Sequence, residues 1–511
     1  MSEITKGKDM NSGEPKYSRR ENASTSNKMQ EEAKDILAVG LTRSTTEVKE
    51  TLRREGVSSQ AMSFKETPAI SQDGTWVETR LKLITQMAKD DSKVKFTSIA
   101  HILNEGHLEQ CYKALKKNKA SGIDGVTVEE YGVDLGKNLK ELVIRMKALQ
   151  YYPQAVRRVY IPKGEGKVRG LGIPSVEDKI VQMGAKRVLE AIYEVDFSDS
   201  SYGFRPGRSC HQALDVLDKT IMTRPINAVV EVDIEKFFDN VDHKWLMECL
   251  KQRISDPNFL RLVVRFLKAG IIEEGEYAES DKGTPQGGVL SPLLANIYLH
   301  YVLDLWFEKI AMKELKGYMR LIRYCDDFVV CFEEVEAAGK FMEMLKVRLS
   351  KFGLKIAEDK SRVIEFGRKV WKDTNGKGGK PATFDFLGFT HFCDKTRRGK
   401  FKVGRKTARK KFIQKMKAMN EWLKGVRNLT KLPEWWKVLK VKLTGHYRYY
   451  GISGNRKSMD RFYEETTKLA YKWINLRSQK KSYAYEQYDL YWKVKLPKPK
   501  IYHNIYTLPS I

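Results

Sequence analysis

The sequence has few cysteines, and their spacing is irregular. There are six in 511 residues, and they form neither the CxxC pairs of zinc sites nor the regular framework of small secreted proteins. They are Cys111, Cys210, Cys249, Cys325, Cys331 and Cys393. We therefore expect neither a structural zinc ion nor disulfide bonds, and this cysteine usage fits a reducing compartment.

Long apolar runs are also absent. No stretch approaches the roughly 18 apolar residues that a membrane-spanning helix requires. The first ten residues, MSEITKGKDM, carry charges where a signal peptide has its apolar centre. Both absences predict a cytoplasmic protein that has no membrane partner.

Acidic residues are in the minority. The chain has 93 lysines and arginines against 65 aspartates and glutamates, which gives a formal net charge of +28. A basic excess of this size is typical of proteins that bind a polyanion, so we expect the protein to be associated with nucleic acid. The length predicts two to four compact units.

The amino-terminal residues 1–75 are polar, and their only aromatic residues are Tyr17 and Phe64. A segment of this composition buries little surface, so we predict a mobile extension without a fixed fold. Within it, residues 30–41 have near-helical spacing and predict one helix. After the Asp-Gly turn signal at residues 73–74, Trp76 begins an amphipathic pattern that predicts the start of the folded part.

Helix and strand patterns alternate through the middle of the chain. The alternation predicts an α+β fold. A β-prone run over residues 320–332 is interrupted by the letters YCDD, and this interruption predicts a hairpin turn. The other predicted elements are helices over residues 96–116 and 176–193, and strands over residues 156–161, 170–173 and 227–234.

Three aspartates carry the strongest chemical signal. Asp326 and Asp327 would lie at the tip of the predicted hairpin, and Asp233, which ends another strand pattern, would join them if both belong to one sheet. Like charges at close range repel one another unless a cation neutralises them, and carboxylate oxygens suit Mg²⁺. Three such groups could hold the two metal ions of a nucleotidyl-transfer site. The alternative is that Asp326 and Asp327 are ordinary turn residues.

Eight sequence blocks occur in a fixed order. They are KASGIDGVT (119–127), RRVYIPKGEGKVRGLGIP (157–174), SYGFRPGRS (201–209), VDIEKFFDNVDH (232–243), GTPQGGVLSPLLANIYL (283–299), YCDD (324–327), GLKIAEDKS (353–361) and FDFLGF (384–389). Each block alone is weak, since short motifs match by chance. Together and in this order, they resemble the group II intron reverse transcriptase and maturase family over roughly residues 96–483.

The resemblance implies a right-hand polymerase whose palm has an antiparallel sheet, followed by a helical domain. It implies fingers over residues 76–225, a palm over 226–392, an RNA-binding thumb and maturase domain over 393–490, and a basic tail over 491–511. Many relatives have alanine where this chain has Cys325, and the similar size makes the change tolerable. No HNH endonuclease motif follows Tyr483, so we expect no second-strand cleavage.

Four residues are implied to bind the incoming deoxynucleoside triphosphate. Lys163 and Arg169, on or beside a turn between two strands, resemble residues that clamp the triphosphate. Phe238 matches the position that excludes a ribose 2′ hydroxyl, and Gln286 matches a glutamine near the nucleotide. Without the family context, Lys163 and Arg169 would be interpreted as a solvated basic loop. Phe238 would be interpreted as a core side chain and Gln286 as part of a plain turn.

Basic residues outside these positions are implied to contact nucleic acid. Arg205 and Arg208 lie in the GFRPGRS block, which resembles a family block that lies against the template. They could equally form structural ion pairs. The others lie in the basic segment 395–420 and in the segment LTGHYRYYGISGN (443–455), which resembles the maturase part and where the aromatic residues could instead be core. The residues are Arg205, Arg208, Arg405, Lys406, Arg409, Lys410, His446 and Arg448.

The function implied by the resemblance is that of an RNA-directed DNA polymerase with two Mg²⁺ ions and dNTP substrates. Its partners would be an RNA template, a DNA primer or target DNA, and a group II intron RNA whose splicing and retrohoming it supports. One alternative is an RNA-binding splicing cofactor whose polymerase residues are unused. Another is a domesticated reverse transcriptase in defence or repair. The sequence does not fix an oligomeric state.

Overall fold

The described part of the chain belongs to one compact unit, Ser58–Ile511. The computed structural model describes residues 60–62, 74–164, 167–285, 287–375, 379–478 and 482–506. The helix predicted over residues 30–41 lies outside these residues, as does most of the predicted extension. No helix in the described ranges is both long and apolar enough to cross a membrane.

Helices and strands alternate as the sequence predicts, and the fold is mixed α+β. The helices are α1 (Gly74–Asp90), α2 (Glu105–Ala114), α3 (Val128–Tyr131), α4 (Leu135–Lys147), α5 (Val176–Tyr193), α6 (Cys210–Thr223), α7 (Phe237–Asn240), α8 (His243–Lys251), α9 (Pro257–Leu267), α10 (Ser291–Leu299), α11 (Met312–Glu314), α12 (Val335–Lys351), α13 (Arg368–Asn375), α14 (Arg409–Val426), α15 (Leu432–Tyr450), α16 (Arg456–Asn475) and α17 (Tyr485–Tyr491). The strands are β1 (Gln60–Met62), β2 (Val94–Phe96), β3 (Val156–Gly164), β4 (Lys167–Ile173), β5 (Ala228–Asp233), β6 (Ile271–Glu273), β7 (Glu276–Ala278), β8 (Met319–Tyr324), β9 (Asp327–Phe332), β10 (Arg362–Glu365), β11 (Phe384–Phe386), β12 (Phe389–Lys395) and β13 (Phe401–Thr407).

Two amino-terminal predictions need correction. The extension predicted to lack a fixed fold contains β1, which pairs in parallel with β2. The helix predicted over residues 96–116 starts later, because Phe96 belongs to β2 and α2 begins only after Asn104. The Asn104 side chain accepts a hydrogen bond from the His107 backbone N–H at 2.9 Å, which satisfies a donor that the first helical turn leaves unpaired.

A four-stranded antiparallel sheet lies at the centre of the fold, with the strand order β10-β5-β9-β8. Most side chains of β5 and β9 are apolar and buried, because helices pack against the sheet. The predicted β8–β9 hairpin is present, but its turn consists of Cys325 and Asp326, and Asp327 is the first residue of β9 rather than part of the tip. A second sheet has the order β4-β3-β6-β7. Its strands β3 and β4 form the hairpin predicted from residues 156–161 and 170–173, and both strands are longer than predicted.

The third sheet, β11-β12-β13, shows that the predicted border at residues 392 and 393 is misplaced. That border falls inside β12, which pairs along its length with β13. One apolar core also continues from the central sheet, through Val229 and Phe384, to Trp435 and Leu443 of α15. The physical boundary of the helical part therefore follows β13 rather than preceding it.

The residues predicted as a basic tail are also part of the fold. Leu496 is 3% exposed, and the Trp436 indole N–H donates to the Trp492 carbonyl at 3.1 Å. Further on, Ile452 pairs with His503, and the Ser453 N–H donates to the His503 carbonyl at 2.9 Å. The chain up to residue 506 is packed against the helical part, so the prediction of a separate tail is wrong there.

A buried ion pair lies directly beneath the β8–β9 hairpin. Arg323 and Asp304 are both completely buried, and their side chains are joined by two hydrogen bonds of 2.5 and 2.8 Å. Asp304 comes from a π-helical segment, His300–Asp304, that continues α10. Arg323 also donates to Asn296 Oδ1 and to Ser201 Oγ, each at 2.9 Å, so the network ties the hairpin to the helix behind it.

Breaking this pair should destabilise the whole fold. The variant Arg323→Met leaves the Asp304 charge buried without compensation, and we expect the free energy of unfolding to fall by about 3–5 kcal/mol. Denaturant unfolding measures the loss. The double variant Arg323→Met, Asp304→Leu removes both charges and should regain most of it. The exposed control Lys340→Met should change stability by less than about 0.5 kcal/mol. Parental stability in Arg323→Met would contradict the role of the pair.

Candidate active site

The three predicted acids meet at one end of the central sheet. Asp233 is the last residue of β5, and its Cα is the cross-strand partner of the Asp327 Cα at the start of β9. Asp326 precedes Asp327 in the hairpin turn. Directly opposed side chains in an antiparallel pair have Cβ atoms about 4.5–5.5 Å apart, so the register itself brings two carboxylates from distant parts of the chain together.

The hairpin turn is held in an unusual backbone conformation. Cys325 has a φ of +59°, a region that residues other than glycine seldom adopt. Its carbonyl accepts a hydrogen bond from Arg323 Nη1 at 3.0 Å. A Cβ added to Gly203 would lie 2.5 Å from the Cys325 backbone nitrogen, so only glycine fits there. The turn that carries Asp326 is therefore held by the hydrogen bond from Arg323 and by the close packing of Gly203 against Cys325.

Cys325 is also a poor candidate for redox chemistry. It is 2% exposed, and burial raises the pKa of its thiol well above the usual range, so the reactive thiolate is disfavoured. All six cysteines are free thiols, as the sequence predicts.

Negative charge is crowded at the acid cluster. Desolvation, followed by the charges of Asp326, Asp233 and Glu231, raises the pKa of Asp327 to about 7. Desolvation and the charge of Asp233 also raise the pKa of Asp326, while the Arg169 guanidinium acts in the opposite direction. Asp327 is exposed and Asp326 is half-buried, so a cation from the solvent can reach both carboxylates. A bound cation would relieve the crowding of negative charge.

Lys360 is a residue that the sequence reasoning did not single out. Its Nζ lies 2.8 Å from Asp233 Oδ2. The adjacent Ser361 hydroxyl accepts a hydrogen bond from the Asp233 N–H at 3.0 Å, and the Ala357 N–H donates to the Asp233 carbonyl at 2.8 Å. Ala357, Lys360 and Ser361 all lie in the GLKIAEDKS block, so the place of this block in the order of the eight blocks was the available signal.

The acids fit Mg²⁺ in their chemistry. Among the residues that the structure describes, no three His, Cys, Asp or Glu side chains are already arranged as a complete metal-binding group. Asp233 is paired with Lys360, but the two side chains are 41% and 58% exposed, and an exposed pair contributes only about 0–1 kcal/mol. A dication can therefore displace Lys360, and the residues that would hold it are Asp233, Asp326 and Asp327.

An open cleft of about 960 Å³ is lined by Asp233 and Asp326, and Asp327 follows Asp326 at the start of β9. Arg169 and Arg158 line it from the β3–β4 hairpin, and Phe238 lines it from α7. Lys360 and its neighbours form another wall. The volume lies within the range of roughly 300–1,000 Å³ that is usual for ligand sites. The cleft therefore brings together carboxylates, cations and one half-buried aromatic ring.

Two of the predicted nucleotide-binding residues cannot be placed. Gln286 and the Lys163 side chain lie outside the described residues, although the Lys163 backbone belongs to β3. The residue after Gln286, Gly287, has a φ of +109°, and an added Cβ would lie 2.5 Å from the Gly172 carbonyl oxygen of β4. Gly287 therefore lies directly against β4 of the β3–β4 hairpin.

Three of the residues predicted to contact nucleic acid are buried and have structural roles. Arg205 is 7% exposed, pairs with Glu194, and donates to the Ser198 and Ser201 carbonyls. These hydrogen bonds leave no room for phosphate, so the prediction for Arg205 is wrong.

The same correction applies in the helical part. Arg405 is 1% exposed and forms an ion pair with Asp218. His446 is 6% exposed and stacks on Phe462 at 3.6 Å, and desolvation, followed by the charge of Lys415, lowers its pKa to about 3. A neutral, buried imidazole does not bind phosphate, so both predictions are wrong.

The other predicted cations lie on the surface. Lys406 and Arg409 line an open groove of about 700 Å³ together with Arg461, and Lys410 and Arg448 are also exposed. Arg208 is partly exposed but pairs with Asp199 at 2.7 Å. These five residues remain candidates for contact with nucleic acid.

Comparison with known proteins agrees with the arrangement of the site. The family model described as "Reverse transcriptase (RNA-dependent DNA polymerase)" matches residues 161–391, which contain all three acids. The "Group II intron-encoded protein LtrA" of Lactococcus lactis subsp. cremoris is 40% identical over 237 residues, which are 46% of this chain and 39% of LtrA. "Nuclear intron maturase 4, mitochondrial" of Arabidopsis thaliana is 30% identical over 151 residues, 28% of this chain and 18% of that protein.

A further relative is matched over most of its length. "Protein YkfC" of Escherichia coli (strain K12) is 33% identical over 335 residues, which are 57% of this chain and 87% of YkfC. The match to LtrA, by contrast, spans about two fifths of that protein. Given the reverse transcriptase family match and these relatives, the chain belongs to the group II intron-encoded reverse transcriptase and maturase family.

Proposed function

We propose that this chain is an RNA-directed DNA polymerase that also binds a group II intron RNA. The observation that carries the proposal is the cross-strand pairing of Asp233 with Asp327, next to a cleft that Asp233 and Asp326 line under a cationic hairpin. The substrates would be deoxynucleoside triphosphates, an RNA template, and a DNA primer or target DNA. The three acids would bind two Mg²⁺ ions after Asp233 leaves Lys360.

The charges of the residues in the cleft indicate the role of each one. When bound, magnesium ions supply activation of the attacking hydroxyl and stabilisation of the leaving oxygen. Arg169 lies within electrostatic range of Asp326, where it can bind the triphosphate of the incoming nucleotide. The family resemblance gives the same role to Lys163 and places Gln286 next to the nucleotide. Lys360, once released by Asp233, is a further cation beside the phosphates.

Phe238 would select deoxynucleotides by its volume. The ring is half-buried on the cleft wall, and its backbone carbonyl accepts a hydrogen bond from the Thr284 N–H at 2.7 Å. This bond ties α7 to the segment just before the PQGG loop and so fixes the backbone position from which the ring projects. A bulky ring at this position rejects an additional hydroxyl by steric overlap.

The remaining domains are proposed by family analogy. We propose a right-hand arrangement with fingers over residues 76–225, a palm that begins at 226 and includes the sheet through β13, and a thumb and maturase part from α14 onward. The open groove with Lys406, Arg409 and Arg461 supports RNA binding by that part, since its cations can neutralise phosphate.

Removing one acid should stop synthesis. The variant Asp326→Asn keeps the side-chain shape but loses a metal-binding charge, and we expect primer extension on an RNA template to fall more than about a thousandfold, because several kcal/mol of transition-state stabilisation are lost. The matched control is Asp134→Asn, an exposed aspartate on the surface before α4. Extension at the parental rate by Asp326→Asn would reject the metal assignment.

The same variant separates polymerase from splicing functions. If the protein assists intron splicing by binding alone, Asp326→Asn will lose extension and keep splicing. If the protein is only a splicing cofactor, the parental protein itself will show no Mg²⁺-dependent extension.

Phe238→Ala should weaken the discrimination between deoxynucleotides and ribonucleotides. We expect the ratio of kcat/KM for dGTP to that for GTP to fall by about tenfold or more, which is the scale of discrimination by pocket volume. The control is Phe392→Ala, which truncates another half-buried ring outside the cleft and should leave the ratio unchanged. An unchanged ratio in Phe238→Ala would show that the ring serves only packing.

A further inference from the structure

A second open cleft lies at the opposite end of the central sheet from the acids. Its volume is about 460 Å³, and it lies where β5 begins and just beyond the end of β10. Four cations line it, and we call them the basic cluster: Arg224, Arg368, Lys369 and Lys372. The only acid in the lining is Asp373.

The backbone beneath the basic cluster is rigidly packed. Gly367, immediately before α13, has a φ of +144°, and an added Cβ would lie 1.9 Å from the Ile226 carbonyl oxygen. The Phe366 N–H donates to the Asn227 carbonyl at 2.9 Å, and the Arg368 guanidinium donates to the Met222 carbonyl. The spacing of the cations is therefore set by the fold, since the two segments that carry them are joined by these contacts.

The charges of the basic cluster are not balanced within the described protein. All four residues are exposed, and none forms an ion pair with a described carboxylate. Arg224 stacks over the Tyr318 ring at 5.0 Å, which leaves the edge of its guanidinium available for hydrogen bonds. Lys369 and Lys372 are one helical turn apart on α13, a like-charge spacing that is unfavourable without an anion.

The ligand of this cleft should be large and anionic. Five residue steps of β5 separate Ala228 from Asp233, a distance of roughly 17 Å at 3.3–3.4 Å per residue. A nucleotide held by the acids does not reach that far, whereas a polymer does. The lining includes only Pro225 and Ile226 as apolar residues, so the cleft lacks the aromatic and aliphatic anchors that protein partners use.

We propose that the basic cluster binds the sugar–phosphate backbone of a folded RNA segment that extends beyond the acid cleft. This inference rests on the proposed function, since an RNA template or intron is the polymer that such a polymerase would carry. Arginine binds phosphate with two parallel hydrogen bonds and lysine binds it as a point charge, so the cluster provides both kinds of contact. Binding at this site would position the RNA without taking part in the chemistry.

The experiment compares two probes on purified full-length protein. One is a short RNA–DNA primer–template duplex. The other is the same duplex with its RNA strand continued through an unpaired linker into a stem-loop. The test variant is the triple change Arg368→Ala, Lys369→Ala, Lys372→Ala. The control is Lys82→Ala, Lys137→Ala, Lys340→Ala, which removes the same net charge from three separate exposed sites. Fluorescence anisotropy at several salt concentrations gives affinity and its salt dependence.

We expect the test variant to bind the stem-loop probe roughly ten- to a hundredfold more weakly than the parent, with a slope of log affinity against log salt that is smaller by about 2 to 3. Its affinity for the short duplex and its extension of that duplex should match those of the parent. The control should bind both probes like the parent. The test variant loses the Arg368 bond to the Met222 carbonyl, so thermal unfolding is used to verify that all three proteins are folded at the assay temperature.

Two results would overturn the inference. Equal weakening by the test and control variants would show that net charge alone matters. Parental affinity of the test variant for the stem-loop probe would exclude RNA at this cleft, which is the result expected if the cluster binds an acidic protein surface instead. Loss of extension in the parent itself would refute the proposed function but would leave the RNA-binding comparison intact.

Discussion

The site depends on one unfavourable contact: two carboxylates opposed across a pair of antiparallel strands. Asp233 and Asp327 are brought together by the β5–β9 register, and repulsion between them has to be offset by the rest of the fold. The buried apolar side chains of both strands fix the register, because a slip of one residue would turn every core side chain outward. Beneath the turn, the Arg323–Asp304 pair holds the backbone, and Lys360 supplies an exposed counter-charge that is easily exchanged.

The arginines of this basic chain fall into two classes that charge alone does not separate. Arg205, Arg323 and Arg405 are buried, and each donates hydrogen bonds to both carbonyl and carboxylate oxygens, so they act as structural connections. Arg169 and Arg368 point into open clefts. A guanidinium can satisfy five donors in either environment, so its role is decided by whether the fold supplies acceptors. Net charge therefore overestimates the number of residues that are available to nucleic acid.

Sequence patterns predicted the elements whose signals are local. The hairpin at YCDD, the strand that ends at Asp233 and the helix over residues 176–193 all follow from apolar runs and turn residues. The late start of α2, the continuity of β12 across residue 392 and the packing of residues 492–503 depend on partners far away in the chain, which a local pattern does not contain. The pairing of Lys360 with Asp233 was missed for the same reason, because 127 positions separate the two residues.

The central sheet also links the two clefts mechanically. The strand β5 ends at an acid, and the segment that leads into it is held against Gly367, next to the basic cluster. Because most of the strand is buried, the separation between its two ends is fixed by backbone geometry rather than by flexible side chains. An RNA bound at the basic cluster would then meet the acid cleft at a constant distance. Changes on the surface of either cleft can alter what is bound there without disturbing the other, whereas a change of register would disturb both.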